Sequence, residues 1–276
     1  MDNNKQLIEQ LGTTLGVLDA LVKELQVLNS CAGILQPYII EEIGELNREG
    51  IPRHQIALLY RSNAQSRVLE HALFQAGIPY RVYGGLRFFE RQEVKHALAY
   101  LRLIANQDDD TAFLRVVNFP TRGIGARSLE ALQIEARQLN CSLYNAAASL
   151  TGKAGTAVGQ FIRLIETMRA ETAGVTLPEV IDHLLDRSGL RQHYQAEREG
   201  QDRLENLEEL VNAAAVFAED PEATRNIDPE TGEATSLLAD FLAHAALEAG
   251  EHQAGDSDDA IQLMTVHSAK GLEFSA

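Results

Sequence analysis

The 276-residue sequence has no tryptophan, only two cysteines and no apolar run long enough to cross a membrane. Cys31 and Cys141 stand alone, outside any CxxC or Cys/His cluster. This excludes a disulfide framework and predicts no metal site, and it favours a reducing cytoplasm. The first residues lack the basic start and apolar stretch of a signal peptide. With 6% aromatic and 45% apolar residues, we expect a globular protein whose core is built from Leu, Ala, Val and Ile.

Positive charge is scarce overall, because the formal net charge is −16. Taken alone, that balance argues against a nucleic-acid ligand. The distribution changes the argument, since residues 51–127 hold 11 Arg/Lys against 6 Asp/Glu, and residues 197–260 hold 3 against 18. A polyanion would be attracted to the first region and repelled by the second. A solvated acidic surface without a partner explains the second region equally well.

Three short apolar runs predict strands, at 56–60, 79–83 and 260–266. The first and the last are expected to be buried, and both end in polar and cationic residues. Most of the chain between the second and third strands has a helical pattern. We therefore predict an α/β fold in which a partial sheet domain, 37–88 with 259–276, is interrupted by a mostly α-helical insertion, 89–258.

Helical periodicity divides the chain further. An amphipathic helix is predicted at 6–28, within an unassigned segment 1–36, and either packs within the chain or pairs with another helix. Ser66 is expected to cap a helix that Gly77 closes. Before it, a helix is predicted at 37–47. The insertion is predicted to contain eight helices, at 90–105, 110–118, 127–139, 142–149, 156–172, 177–187, 203–219 and 236–249.

Local signals add caps and loops to this scheme. Thr176 and Glu179 have the spacing of a capping box, and Ser236 is a second plausible cap. Residues 219–235 are polar and rich in turn formers, so a mobile loop is predicted there. A polar link at 251–259 leads back to the last strand. This link and the chain near Leu86–Phe89 are the two connections of the insertion to the sheet. Gly84-Gly85 and the polar link are the predicted hinges, on which the insertion moves against the sheet.

Four segments, found in the same order along the chain, resemble those of a known family. They are LYRSNAQSR at 59–67, YGGLRFFER at 83–91, TRGIG at 121–125 and LMTVHSAKGLEF at 263–274. Together they resemble the UvrD/PcrA/Rep helicases of superfamily 1, and the likeness is closest to the bacterial UvrD members. The match covers about residues 38–274. The resemblance implies part of the second RecA-like motor domain, called 2A, and the whole of its helical insertion, called 2B.

The family likeness also implies roles for single residues at the strand ends. The counterparts of Arg61, Asn63 and His267 contact single-stranded DNA in the family, and that of Glu273 contacts the nucleotide ribose. The residue types suit these ligands, since Arg binds phosphate and Asn bonds backbone or base edges. Plainer roles stay open: Arg61 paired with a carboxylate, Asn63 capping a turn, His267 in the core and Glu273 solvated.

The TRGIG segment implies a duplex contact in the same family. Glycines let a backbone approach phosphate closely, and the helix that follows offers free N–H groups. We therefore expect a duplex-binding segment, although most GxG sequences are plain turns. Its candidate residues are Thr121, Arg122, Gly123, Ile124, Gly125 and Arg127.

The sequence departs from the complete family pattern. It contains no GxxxxGK phosphate loop, and no acidic Mg²⁺ motif or arginine finger is found. We therefore expect a fragment of an ATP-dependent 3′→5′ DNA repair helicase, with ATP and Mg²⁺ used by the intact enzyme and neither bound nor hydrolysed by this chain alone. Expected partners are single-stranded DNA, its junction with duplex and repair proteins, in the cytoplasm and not at a membrane. The alternatives are a non-catalytic DNA- or protein-binding module and self-association through 6–28.

Overall fold

The computed structural model describes residues 37–83, 85–198, 200–220, 236–250, 259–270 and 272–276. The predicted helix at 6–28 lies outside these residues. So do almost all of the predicted loop at 219–235 and the link at 251–259.

The sheet of the described chain consists of three parallel strands, β1 (Ala57–Tyr60), β2 (Tyr80–Val82) and β3 (Ile261–Thr265). Their order is β1-β3-β2, so the strand from the far end of the chain lies in the middle. Tyr60 is in register with Thr265, and Val82 with Leu263. The three predicted strands are confirmed, each slightly shorter than its apolar run.

Two helices pack against this sheet. The described part of α1 covers 37–48, and α2 is Ser66–Gln75. Their apolar sides and the strands form a small core of Ile43, Ile56, Tyr60, Leu73, Tyr80, Ile261 and Leu263. The prediction of a fully buried first strand is wrong in one respect, because Leu59 is 52% exposed. Among the described strands, β1 pairs with β3 alone, and the period of two turns Leu59 to the uncovered face.

The chain between β2 and β3 is helical, as predicted. Its helices are α3 (Gln92–Ala105), α4 (Asp110–Val116), α5 (Ala126–Leu139), α6 (Leu143–Ala146), α7 (Gly152–Glu171), α8 (Leu177–Arg187), α9 (Leu190–Gln195), α10 (Gly200–Glu219) and α11 (Leu237–Gly250). Helix α9 was not predicted. It begins directly after Gly189, whose φ of +80° turns the chain at the end of α8.

Helix α3 runs through the centre of the larger core. Its Val94, Ala97, Leu101 and Leu103 are almost completely inaccessible, at helical spacing. Residues of α4, α7, α8, α10 and α11 complete the same apolar cluster. Burying each such side chain stabilises the fold by about 1.5–3 kcal/mol, so the segment has a core of its own.

Two of the three predicted caps are confirmed. Thr176 and Glu179 form a reciprocal capping box at α8, and the Ser236 hydroxyl accepts the Ala239 N–H at 3.2 Å. The Ser66 prediction is wrong, because Ser66 is the first residue of α2 and buried. Its hydroxyl donates to Glu70 Oε1 at 2.6 Å. Ser62 takes the capping role, at the 3₁₀ turn Asn63–Gln65 before α2.

The connection at Leu86–Phe89 is a packed junction. Phe88 and Phe89 are buried in the larger core, and the Phe88 N–H donates to Glu70 Oε2 of α2 at 3.0 Å. The Arg87 guanidinium donates to the carbonyls of Glu248 and Ala249 in α11. The prediction of a hinge at Gly84-Gly85 stays a prediction, because Gly84 lies outside the described residues. The predicted domain boundary at 88/89 stays a prediction.

Candidate functional site

Two loops meet at one edge of the sheet. Because β1 and β3 are parallel neighbours, their carboxyl ends lie side by side, and the Val266 N–H donates to the Tyr60 carbonyl at 3.0 Å. Arg61 and Asn63 follow β1, and His267 follows β3, all with exposed side chains. This edge of an open parallel sheet is where ligands bind. We call these three residues the sheet-edge site.

The loop after β1 is held by the Gln65 side chain. Gln65 Oε1 accepts the N–H groups of Arg61 and Ser62 at 3.0 and 3.2 Å. Together with Ser62 this is the capping box of the short 3₁₀ turn. Within the described part of the chain, the hydrogen bonds that hold this turn involve neither the Arg61 nor the Asn63 side chain. They are therefore presented to solvent from a fixed backbone.

A buried arginine fixes the same loop to the helical segment. Arg91 Nη1 donates to the Asn63 carbonyl and to Asn206 Oδ1 of α10, both at 2.7 Å, and Nη2 donates to the Ser66 hydroxyl at 2.6 Å. Burial lowers the pKa of Arg91 and raises that of Glu70, 3.8 Å away. Sequence reasoning quoted Arg91 within YGGLRFFER and missed this role, because Asn206 lies 115 positions further along the chain.

The plainer roles considered for these residues are partly excluded. His267 is exposed in the turn after β3, so it is not a core histidine. Arg61 has no ion pair with any carboxylate in the described part of the chain. The turn that Asn63 begins is capped by Ser62 and Gln65. Direct ligand contact by these three residues is consistent with the geometry and stays a prediction.

Glu273 does not belong to the same cluster of contacts. The backbone beyond it pairs with the start of β1, since the N–H groups of Ser275 and Ala276 donate to the Gln55 carbonyl at 3.0 and 3.2 Å. The chain thus returns toward the opposite end of that strand from Arg61. The Glu273 carboxylate is exposed and could accept from a ligand hydroxyl. Its predicted ribose contact stays a prediction.

The TRGIG segment forms the loop between α4 and α5. Gly123 has φ of +73°, a conformation that favours glycine. Asn118 Oδ1 accepts the N–H groups of Arg122 and Ile124, at 2.8 and 3.1 Å, and so closes the loop. The Ile124 side chain is 1% exposed and belongs to the core. The prediction that Ile124 contacts DNA is therefore wrong for its side chain.

The Arg122 side chain is also turned inward. Its guanidinium donates to the carbonyls of Val116, Pro120 and Ser188 and to the Tyr100 hydroxyl, at 2.6 to 3.1 Å. It also lies over the Tyr100 ring at 5.7 Å from the centroid. With its donors used in this way, Arg122 joins α3, α4 and α8, and its predicted contact with DNA phosphate is not supported.

The rest of the loop faces solvent. Thr121, Gly123, Gly125 and Arg127 are exposed, and Gly125 is the N-cap of the 14-residue helix α5. A helix N-terminus presents unpaired N–H groups and partial positive charge, and Arg127 adds a full charge in the first turn. This end of α5 can receive an anion. Asn118, which orders it, was missed because nothing in its sequence context separates it from a surface Asn.

Among the described residues, no helix combines the length and the apolar character needed to span a membrane.

Comparison with known proteins gives concordant matches. Residues 35–276 match the family profile of the UvrD-like helicase C-terminal domain. The chain is 49% identical over 245 residues to DNA helicase II of Escherichia coli (strain K12) and 46% identical to that of Haemophilus influenzae. It is 37% identical over 244 residues to the ATP-dependent DNA helicase PcrA of Staphylococcus epidermidis. Each match covers 86% of this chain, which spans about a third of the length of these relatives.

Proposed function

Because this chain belongs to the UvrD-like helicases, we propose that it is the DNA-binding part of an ATP-dependent 3′→5′ DNA helicase that acts in repair. In this proposal the sheet portion is 2A, a RecA-like motor domain, and the helical segment is the 2B insertion. The intact protein acts in the cytoplasm on single strands and their junctions with duplex, together with repair proteins.

One observation carries the proposal. The parallel pairing of β1 and β3 brings Arg61, Asn63 and His267 to one edge of the sheet, although 59–67 and 263–274 lie at opposite ends of the sequence. All three side chains are exposed on ordered loops. A cation, an amide and an imidazole suit a phosphate backbone and the edges of unpaired bases.

A second contact is proposed for duplex DNA. The exposed end of α5, with Gly123, Gly125 and Arg127, offers backbone N–H groups and one cation to a phosphate. The half-buried Arg122 and the buried Ile124 hold this end in place. The proposed duplex contact therefore involves fewer side chains than the sequence predicted.

ATP and Mg²⁺ are proposed for the intact helicase alone. The described residues fit only a small part of a nucleotide site, because the sequence has no phosphate loop and Glu273 is the single candidate on this chain. The Glu273 carboxylate would accept a hydrogen bond from a ribose hydroxyl. The nucleotide supplies the free energy for translocation.

The sheet-edge site is tested by single-strand binding. We expect the triple variant Arg61→Ala, Asn63→Ala, His267→Ala to bind a labelled oligonucleotide at least about tenfold more weakly, because each charged or stacking contact is worth about 1–3 kcal/mol. Fluorescence anisotropy at low salt measures this. The three side chains are exposed, so the fold should be unchanged.

Arg48→Ala is the matched control, since its guanidinium is 73% exposed on α1 and lies 3.9 Å from Glu45. It removes a surface cation and should leave affinity nearly unchanged. Equal weakening in the control and the triple variant would mean that only overall charge matters. No weakening in either would remove the sheet-edge site from the proposal.

A further inference from the structure

A compact His–His–Glu cluster joins the sheet portion to the last helix of the helical segment. Glu248 Oε1 of α11 accepts from His71 Nδ1 of α2 at 2.6 Å and from His244 Nε2 of α11 at 2.8 Å. Donor atoms of all three residues lie within 4.8 Å of one another. None of these residues contributes to the sheet-edge site or to the TRGIG loop.

The cluster arises from two facing helices. His244 and Glu248 are one turn apart and share a face of α11, which brings both toward His71. The carboxylate is 4% exposed, and the imidazoles of His71 and His244 are 12% and 22% exposed. The rings of His71 and His244 are 5.6 Å apart and nearly perpendicular. The Phe217 ring lies 5.2 Å from that of His244 and shields one side.

The cluster opens on one side to a cavity of about 320 Å³. His71 and His244 line it, together with the acidic residues Asp220 and Asp240. The cation Arg67 also lines it and pairs with Glu209 at 3.3 Å. The cavity gives a small ion a route to the cluster and room for water ligands. The nearby acidic residues favour a cation over an anion.

The donor set matches a transition metal. Two imidazole nitrogens with one carboxylate is a ligand set of zinc sites that keep a position open for water. Glu248 Oε1 already lies 2.6 Å from His71 Nδ1 and 2.8 Å from His244 Nε2, so the three donor atoms converge on one point. Tetrahedral Zn²⁺ needs donor atoms about 3.3 Å apart. The N···O distances of 2.6 and 2.8 Å would lengthen by about 0.5 to 0.7 Å, within reach of small side-chain rotations.

We propose that His71, His244 and Glu248 bind one divalent transition-metal ion of the Zn²⁺ class, with water completing its coordination. The ion takes the place of the two hydrogen atoms that lie between the imidazoles and Glu248, and each neutral imidazole then carries its hydrogen on the ring nitrogen that does not bind the ion. Because His71 belongs to the sheet portion and the other two ligands to α11, the bound ion fastens these two parts together. Binding of the metal ion therefore stabilises the contact between the sheet portion and α11.

Cobalt titration of the purified, tag-free chain tests the site, because Co²⁺ substitutes for Zn²⁺ and gives visible absorption. One equivalent should bind with bands typical of four or five nitrogen and oxygen ligands. His71→Ala, His244→Ala and Glu248→Gln should each weaken binding by more than about tenfold, since even changes outside the ligand shell cost about 10–100-fold. Zn²⁺ should displace Co²⁺ and raise the thermal midpoint of the unaltered chain only.

The matched control is His183→Ala, which removes a partly exposed histidine of α8 that pairs with Glu171 of α7. It should bind Co²⁺ as the unaltered chain does. Sulfur-to-cobalt charge-transfer bands would place the metal at a cysteine and overturn the proposal. So would absence of binding to the unaltered chain, or unchanged affinity in Glu248→Gln, the variant that best preserves packing.

Discussion

At the residue scale, Arg122 and Arg127 have the same side chain and opposite surroundings. The guanidinium of Arg122 is hydrogen-bonded inside the helical segment, and that of Arg127 faces solvent. In the sequence, both residues are simply cations close to the glycines of TRGIG. The structure separates a residue that holds the loop from one that is free to meet a ligand.

Two single variants distinguish these roles. Arg122→Ala should destabilise the chain by about 2–4 kcal/mol, because several carbonyls and the Tyr100 hydroxyl lose their donor. Arg127→Ala should change stability by less than about 0.5 kcal/mol and reduce the salt slope of duplex binding by about 0.9. Urea denaturation and anisotropy titrations over a range of salt measure the two effects. A stable Arg122→Ala chain with a reduced slope would reverse the assignment.

At the element scale, the short helix α9 is held by a buried histidine of α3. His96 Nδ1 lies 2.7 Å from the Tyr194 hydroxyl of α9, and its ring stacks on Phe119 with centroids 3.8 Å apart. Burial, aided by the positive charge of Arg115, lowers the pKa of His96 to about 4. Docking of α9 therefore depends on a neutral imidazole.

This arrangement predicts a pH dependence of stability. Between about pH 6.5 and pH 4 the unfolded chain binds a proton at His96 that the folded chain does not, so the free energy of unfolding falls as the pH falls. The loss should reach about 2–3 kcal/mol near pH 4. His96→Gln should remove this part of the slope. Urea midpoints of both chains across the window measure it, and parallel pH profiles would contradict the prediction.

Helical periodicity predicted the helices well because their apolar stripes are local and long. It missed α9, whose six residues hold too few turns to show a period. For the site, strand ends predicted the exposure of Arg61, Asn63 and His267. The inward Arg122 and the His71–Glu248 pair, 177 positions apart, depend on packing between distant segments, which no local pattern contains.

At the scale of the whole molecule, Arg91 ties the sheet portion to the helical segment. Arg91 donates hydrogen bonds to the loop after β1, to Ser66 of α2 and to Asn206 of α10. Any rotation of the helical segment against the sheet must break these bonds together with the contact between the Phe88 N–H and Glu70. The junction therefore opens as one cooperative unit.

Hydrogen exchange measures this opening. The Phe88 amide should exchange slowly in the unaltered chain and at least about tenfold faster in Arg91→Ala, which corresponds to a loss of about 1.4 kcal/mol or more. Arg102→Ala is the control, because its half-exposed guanidinium pairs with Asp109 away from the junction. Equal protection of Phe88 in all three chains would show that Arg91 does not hold the junction closed.

The position of β3 in the middle of the sheet has a consequence for the order of events during synthesis. On the ribosome, β1 and β2 emerge early but have no strand between them until the last residues of this segment are made. The helices α3 to α11 have their own core and emerge before β3, and local contacts such as theirs form fastest. Once folded, they bring the two ends of a long loop close together and lower the entropy cost of its closure. The helical segment thus acts as a template on which the sheet is completed.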